Sequence, residues 1–144
     1  MQIAGPYQLS DVECHRLLAS HDVGRLAFVV GGQPLIVPVN YAFCHDRVVF
    51  RTGDGLKLRR TPRHRVAFEI DAVDEASRVG WSVLVKGCAY DITRADDPLA
   101  EELRRLPLSP LGTGEMSHWI EIVPLEITGR LVTSSLPPPG KQRS

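Results

Sequence analysis

One stretch in the first half of the chain combines residue types that can do chemistry: Phe50-Arg51-Thr52-Gly53-Asp54-Gly55-Leu56-Lys57-Leu58. Val48, Val49 and Phe50 supply an apolar strand that runs into a glycine-bearing loop. Gly53 and Gly55 accept backbone angles that other residues resist, and they leave backbone N–H groups unshielded. Arg51 and Lys57 flank them. Unshielded N–H groups, a helix start and two cations are what a phosphate needs. The spacing is neither the Walker pattern nor the dinucleotide fingerprint. Taken alone, the stretch reads as a surface loop with two solvated cations. Its setting in the rest of the chain decides between that loop and a phosphate site.

Other chemistry-bearing residues are scattered. Trp81 and Trp119 suit a core or a subunit interface as well as a cofactor contact. Asn40, inside a strand, can satisfy neighbouring backbone. His118 can donate a proton or play a structural part. Cys14, Cys44 and Cys88 are far apart and odd in number, with neither a metal-ligand spacing nor a disulfide framework. A reducing cytoplasm is therefore the expected setting, with no metal. No basic segment followed by an apolar run opens the chain, and no apolar run reaches membrane-spanning length.

The elements that must position these groups begin with a short helix. Ser10-Asp11-Val12-Glu13 matches a capping box, with Ser10 as N-cap and Glu13 reaching back. Val12, Leu17 and Leu18 form its apolar stripe, and it ends near Ser20. Three strands follow: 24–30, 35–43 and 47–52. Gly31-Gly32 and His45-Asp46 mark the turns between them. Pro38 inside the second strand calls for an edge, a bulge or a local break. A short helix is expected over 56–61, stopped by Pro62. Strands follow at 66–71 and 81–92, the second with Gly87 marking a bulge or a bend. Asp96-Asp97-Pro98 starts another helix, whose face is Leu99, Leu103 and Leu106. A last strand runs from His118 to Leu131, interrupted by Pro124.

The expected fold is therefore mainly β, a six-stranded antiparallel split β-barrel with two or three short helices. The strands do not alternate with helices, which excludes a parallel sheet. The chain is 144 residues long, enough for one domain with a proper core. That domain is expected over 1–133, with a disordered Pro-rich tail over 134–144. Lys+Arg 17 balances Asp+Glu 17, so no nucleic-acid or membrane surface is expected.

This order of motifs resembles the pyridoxamine 5'-phosphate oxidase-like family of FMN-binding split barrels, and within it the small nitroimidazole-resistance-like members. The resemblance runs from the helix at Ser10 to the strand ending near Leu131. Val23-Gly24-Arg25-Leu26-Ala27 is similar to the opening strand, and Pro38-Val39-Asn40-Tyr41 to the strand beside the flavin ring. Phe50 to Lys57 is similar to the phosphate segment, and Val79-Gly80-Trp81-Ser82-Val83 through Lys86-Gly87 to the long strand that approaches the cofactor. Trp119 with Thr128-Gly129-Arg130 is similar to the closing strand.

The resemblance implies a cytoplasmic homodimer with FMN sites between subunits. In it Arg51 and Lys57 pair with the phosphate and Thr52 donates to it. Pro38, Val39, Asn40 and Tyr41 lie along the isoalloxazine edge. Ser82 hydrogen-bonds the flavin with Trp81 beside it, and Trp119 closes the pocket or comes from the partner. Leu58 stands where the vitamin B6 enzyme has a further basic residue, so one phosphate contact is missing or comes from Arg59 or Arg60. The residues that hold that enzyme's substrate phosphate have no match here. The implied activity is thus an FMN-dependent oxidoreductase, not a true pyridoxamine phosphate oxidase. It would move electrons between a nicotinamide donor and a small organic acceptor, nitroaromatic compounds among them. The alternatives are a non-catalytic module holding flavin, deazaflavin or haem, and a structural barrel with a degenerate site.

Overall fold

The computed structural model describes residues 3–5, 7–53, 64–109, 115 and 117–133. The expected helix over 56–61, Lys57 and the tail from 134 lie outside these residues. The elements run β1 (Ile3–Gly5), β2 (Gln8–Leu9), α1 (Asp11–Ser20), β3 (Val23–Val30), β4 (Gln33–Cys44) and β5 (Arg47–Thr52). Then come β6 (His64–Asp74), β7 (Val79–Asp91), α2 (Pro98–Leu103) and β8 (His118–Thr133). All strand pairs are antiparallel, in the order β1-β2-β8-β5-β4-β3-β6-β7, and β7 closes back onto β8. The six expected strands, β3 to β8, therefore form a closed barrel. β1 and β2 are additions, in a stretch that reads only as a lead-in. No described helix is long and apolar enough to cross a membrane.

Alternation builds the core. Leu26 and Phe28, Val48 and Phe50, Phe68 and Ile70, Val83 and Val85, and Ile120 and Ile122 point inward and pack as one cluster. α1 covers one end of the barrel. Ser10 Oγ accepts from the Glu13 N–H at 3.1 Å, as an N-cap should. The buried stripe of α1 is Cys14, Leu17 and Leu18 with Glu13, whereas Val12 is 66% exposed. The expectation for Val12 is thus corrected: positions 14, 17 and 18 share the face turned to the barrel, and 12 lies off it. The carboxylate of Glu13 is buried but paired with Arg16. A second, smaller cluster lies outside the wall, where α2 sets Ala100 and Leu103 on Val49 and Ile92.

The turns follow the expected chemistry. Gly31 and Gly32 have φ of 57° and 78°, the hairpin geometry that suits glycine. His45 and Asp46 adopt the same geometry with φ of 52° and 58°. Gly87 sits at the bulge it was expected to mark. Lys86 pairs with Glu126 and Gly87 with Pro124, which leaves Leu125 of β8 as the extra residue, 64% exposed. A Cβ on Gly87 would stand 2.3 Å from the Val123 carbonyl oxygen and 3.0 Å from Pro124 Cα. Both are backbone atoms that cannot swing aside. Gly87→Ala is expected to destabilise the fold by about 1–3 kcal/mol. A denaturant midpoint equal to that of the wild type would contradict this close packing.

Candidate cofactor site

The site forms where two strands part. β4 pairs with β3 from Gln33 to Asn40 and with β5 only from Tyr41 to Cys44. Tyr41 opposes Phe50, so the next pair outward would be Asn40 against Arg51, but there β5 continues with β8 alone. The Tyr41 N–H donates to the Asp22 carbonyl at 2.8 Å, toward β3. Backbone groups alternate sides along a strand, so the nitrogens of Pro34, Ile36, Pro38 and Asn40 face the unpaired edge. Pro38 is thus the edge-strand proline among the options its position allowed.

Val39 and Tyr41 turn inward and are buried; Pro38 and Asn40 turn outward. The Tyr41 hydroxyl donates to the Leu18 carbonyl at 2.7 Å, and burial raises its pKa. Of the expected ring-edge residues, Tyr41 therefore turns neither its hydroxyl nor its N–H to the open edge. Asn40 Nδ2 donates to the Ser109 carbonyl, which draws the segment after α2 over the opening. The outward Arg51 lies with its guanidinium carbon 5.2 Å from the centre of the Trp119 ring, and Arg51 and Trp119 are cross-strand neighbours. Thr52 is buried beside His118, and its hydroxyl lies 3.4 Å from the Gly53 carbonyl oxygen. Asn40, Arg51 and Trp119 thus turn outward around one opening, while Thr52, one residue past Arg51, turns to the inner side.

Trp81 and Ser82 belong to a different face. Trp81 packs on the core rim, edge-on to His21 at 4.9 Å between ring centres. Ser82 turns outward into a groove of about 540 Å³ with Tyr7, Gln8, Glu69, Leu84 and Arg130. By way of β8, which lies between them, Arg51 pairs with Trp119 and Ser82 with Arg130, so the two stand eleven residues apart along that strand, roughly 36 Å of contour at ~3.3 Å per residue. Within one protomer the described residues do not bring these two groups into one cavity.

Sequence reasoning missed the charge cluster at this second face. Arg25 on β3 reaches Glu69 at 3.2 Å and Asp71 at 2.7 Å on β6. Glu69 and Asp71 alternate with apolar residues and so face outward, but the register that sets Arg25 against Glu69 is not written in either strand. It also missed the Asp91–His118 contact at 3.5 Å, in a cavity of about 580 Å³ with Thr93 and Arg94.

A family model described as pyridoxamine 5'-phosphate oxidase matches residues 10–131. The chain belongs to that family. Uncharacterized protein Rv0080 of Mycobacterium tuberculosis is 36% identical over 138 residues, covering 91% of this chain and 89% of that protein. Among solved structures, the FAD binding protein from Mycobacterium smegmatis is 33% identical with a TM-score of 0.71, covering 89% of this chain and 98% of that one. A putative pyridoxamine 5'-phosphate oxidase from Corynebacterium glutamicum is 28% identical with a TM-score of 0.74, covering 94% of this chain and 99% of that one. These matches span nearly the whole barrel, so the resemblance read from motif order holds for the family and the fold.

The second face also has a pH signature. Partial burial raises the Glu69 pKa from 4.5 to about 7, the neighbouring Asp71 adds to the rise, and Arg25 opposes it. A carboxyl whose pKa is raised on folding binds its proton more tightly in the native state. Its contribution to stability is therefore fully present below pH ~4.5 and is lost as pH rises toward ~7. Glu69→Gln, which cannot ionise, is expected to flatten this part of the stability–pH curve. Denaturation midpoints between pH 4.5 and 7 that fall in parallel for both proteins would contradict the assignment.

Proposed function

We propose that this protein binds a flavin nucleotide through its 5'-phosphate at the parting of β4 and β5, and that it works as a flavin-dependent oxidoreductase. The observation that carries the reading is Arg51, whose guanidinium carbon lies 5.2 Å from the centre of the Trp119 ring, at an opening bordered by Asn40 and an apolar strand edge unpaired among the described residues. A guanidinium carries its N–H groups in one plane, the geometry for bidentate contact with phosphate. Thr52 follows Arg51 on β5, and Lys57, outside the described residues, is the proposed second cation.

The residues fit the rest of the group as well. The β4 edge from Pro34 to Pro38 is exposed and mostly apolar, with Leu35 44% and Ile36 70% exposed. A flat aromatic ring needs such a surface with a few polar groups at its rim. Outward-facing Pro38 and Asn40 border it, and the edge-directed N–H groups of Ile36 and Asn40 can bond the heteroatoms of the ring.

A second copy of the chain completes the site in this proposal. Val29, Leu35, Ile36 and Leu125 expose apolar side chains around one groove, a surface suited to contact with a second copy. A homodimer that buries them can bring Ser82 of one protomer toward Arg51 of the other. Bound flavin supplies hydride and single-electron chemistry. The chain's part is to fix the phosphate, hold the ring against the β4 edge and leave one ring face open to a small organic substrate. A nicotinamide is the proposed donor. FMN is the proposed nucleotide. FAD is the second reading, favoured by the likeness to the FAD binding protein from M. smegmatis.

The test is the absorbance of protein purified without added cofactor, followed by anaerobic NADH or NADPH. The expected protein is yellow, bleaches with a nicotinamide and releases FMN on denaturation; released FAD would select the second reading. A bound flavin that neither nicotinamide reduces would overturn the proposed electron donor. A Soret band would point to a haem module, and colourless protein that leaves added FMN fluorescence unchanged would overturn flavin binding.

A further inference from the structure

A different group of side chains stands at the β4–β5 hairpin, away from the parting of the strands. Cys44 ends β4, His45 opens the turn, and Glu102 lies on α2. The Cys44 thiol, a His45 ring nitrogen and a Glu102 carboxylate oxygen all lie within 4.8 Å of one another. His45 Nε2 already contacts the Glu102 carboxylate. Cys44 is half-buried against the cluster under α2, while His45 and Glu102 are exposed.

We propose that Cys44, His45 and Glu102 form a site for a transition-metal ion of the zinc class, with solvent as the fourth ligand. Thiolate, imidazole and carboxylate are the ligand set that Zn²⁺ accepts, at about 2.3, 2.0–2.1 and 2.0–2.2 Å. Tetrahedral angles on such bonds place ligand atoms roughly 3.3–3.7 Å apart. The observed cluster reaches that spacing through small rotamer changes of two exposed side chains. A sulfur ligand disfavours Ca²⁺ and Mg²⁺, which take oxygen donors.

The turn supports the assignment. His45 and Asp46 occupy two successive positive-φ positions, where Asn-Gly or Gly-Gly is the low-strain choice. The hairpin at Gly31-Gly32 uses that choice. At the other hairpin the chain carries side chains instead, and the turn aims that of His45 at α2. The metal ties two elements that are distant in sequence, the hairpin and α2. α2 leads to Ser109, whose carbonyl accepts from Asn40 at the strand opening. The site is therefore structural: it fixes α2 and the segment that borders the opening.

The test is titration of the purified protein with Co²⁺ and then Zn²⁺ in a phosphine reductant, read as difference spectra against the metal-free protein. One equivalent of Co²⁺ is expected to give a thiolate-to-cobalt charge-transfer band and tetrahedral visible bands, which Zn²⁺ abolishes. Cys44→Ser should lose the charge-transfer band, whereas Cys88→Ser should keep it. Glu102→Gln preserves shape and should weaken Co²⁺ binding at least tenfold. Zn²⁺ should raise the melting temperature of the wild type by several degrees and leave that of Cys44→Ser unchanged. Absence of a charge-transfer band in the wild type, its persistence in Cys44→Ser, or unchanged affinity in Glu102→Gln would each overturn the proposal.

Discussion

The structure depends on where β4 leaves β5, and Tyr41 fixes that point. Its backbone N–H turns to Asp22 beside β3, and its buried hydroxyl holds the Leu18 carbonyl at the end of α1. An unpaired phenol or carbonyl there would cost about 1–3 kcal/mol, so strand, helix and core keep one arrangement. Beyond Tyr41 the strands cannot rejoin. Pro34 and Pro38 remove donors from that side of β4, and Arg51 and Thr52 stay with β8. Among the described residues β4 is left with an unpaired edge from Gln33 to Asn40, flanked by Arg51 and Trp119. The edge is the kind of strand that proteins cover, here in the proposal by a cofactor and a second protomer.

Much of this was legible in the sequence because it is local. Six strands, two helices, the glycine hairpin, the bulge at Gly87 and the caps at Ser10 and Asp97 each follow from a few neighbouring residues. The family followed from the order of those motifs. Pro38 left an edge, a bulge or a break open, because a missing donor says only that no partner is bonded there. The pairing chosen by Tyr41 resolved it.

What was not legible is register and shape. Alternation tells which residues turn outward but not which outward residues meet, so Arg25 with Glu69 and Asp71, and His118 with Asp91, appeared only once the strands were aligned. Lists of residues along the chain also hide curvature. Ser82 and Arg51 read as parts of one site, yet the barrel wall puts them on separate faces, and the described residues of a single protomer do not reunite them. Val12 failed for a related reason: an apolar residue at a helix start is not on the buried face until the helix has something to lie against. The Cys44, His45 and Glu102 group has two members adjacent in sequence and one far away, a pattern that no spacing rule flags.

The central claim is that the flavin is held by its phosphate at Arg51. The most direct measurement compares the affinities of FMN and riboflavin for the wild type and for Arg51→Ala, since riboflavin lacks the phosphate. A charge-assisted contact of about 1.5–3 kcal/mol corresponds to roughly 10–150-fold in affinity. The dissociation constant for FMN is expected to rise by that factor in the variant while that for riboflavin stays put. An unchanged FMN affinity, or equal losses for both ligands, would contradict the account.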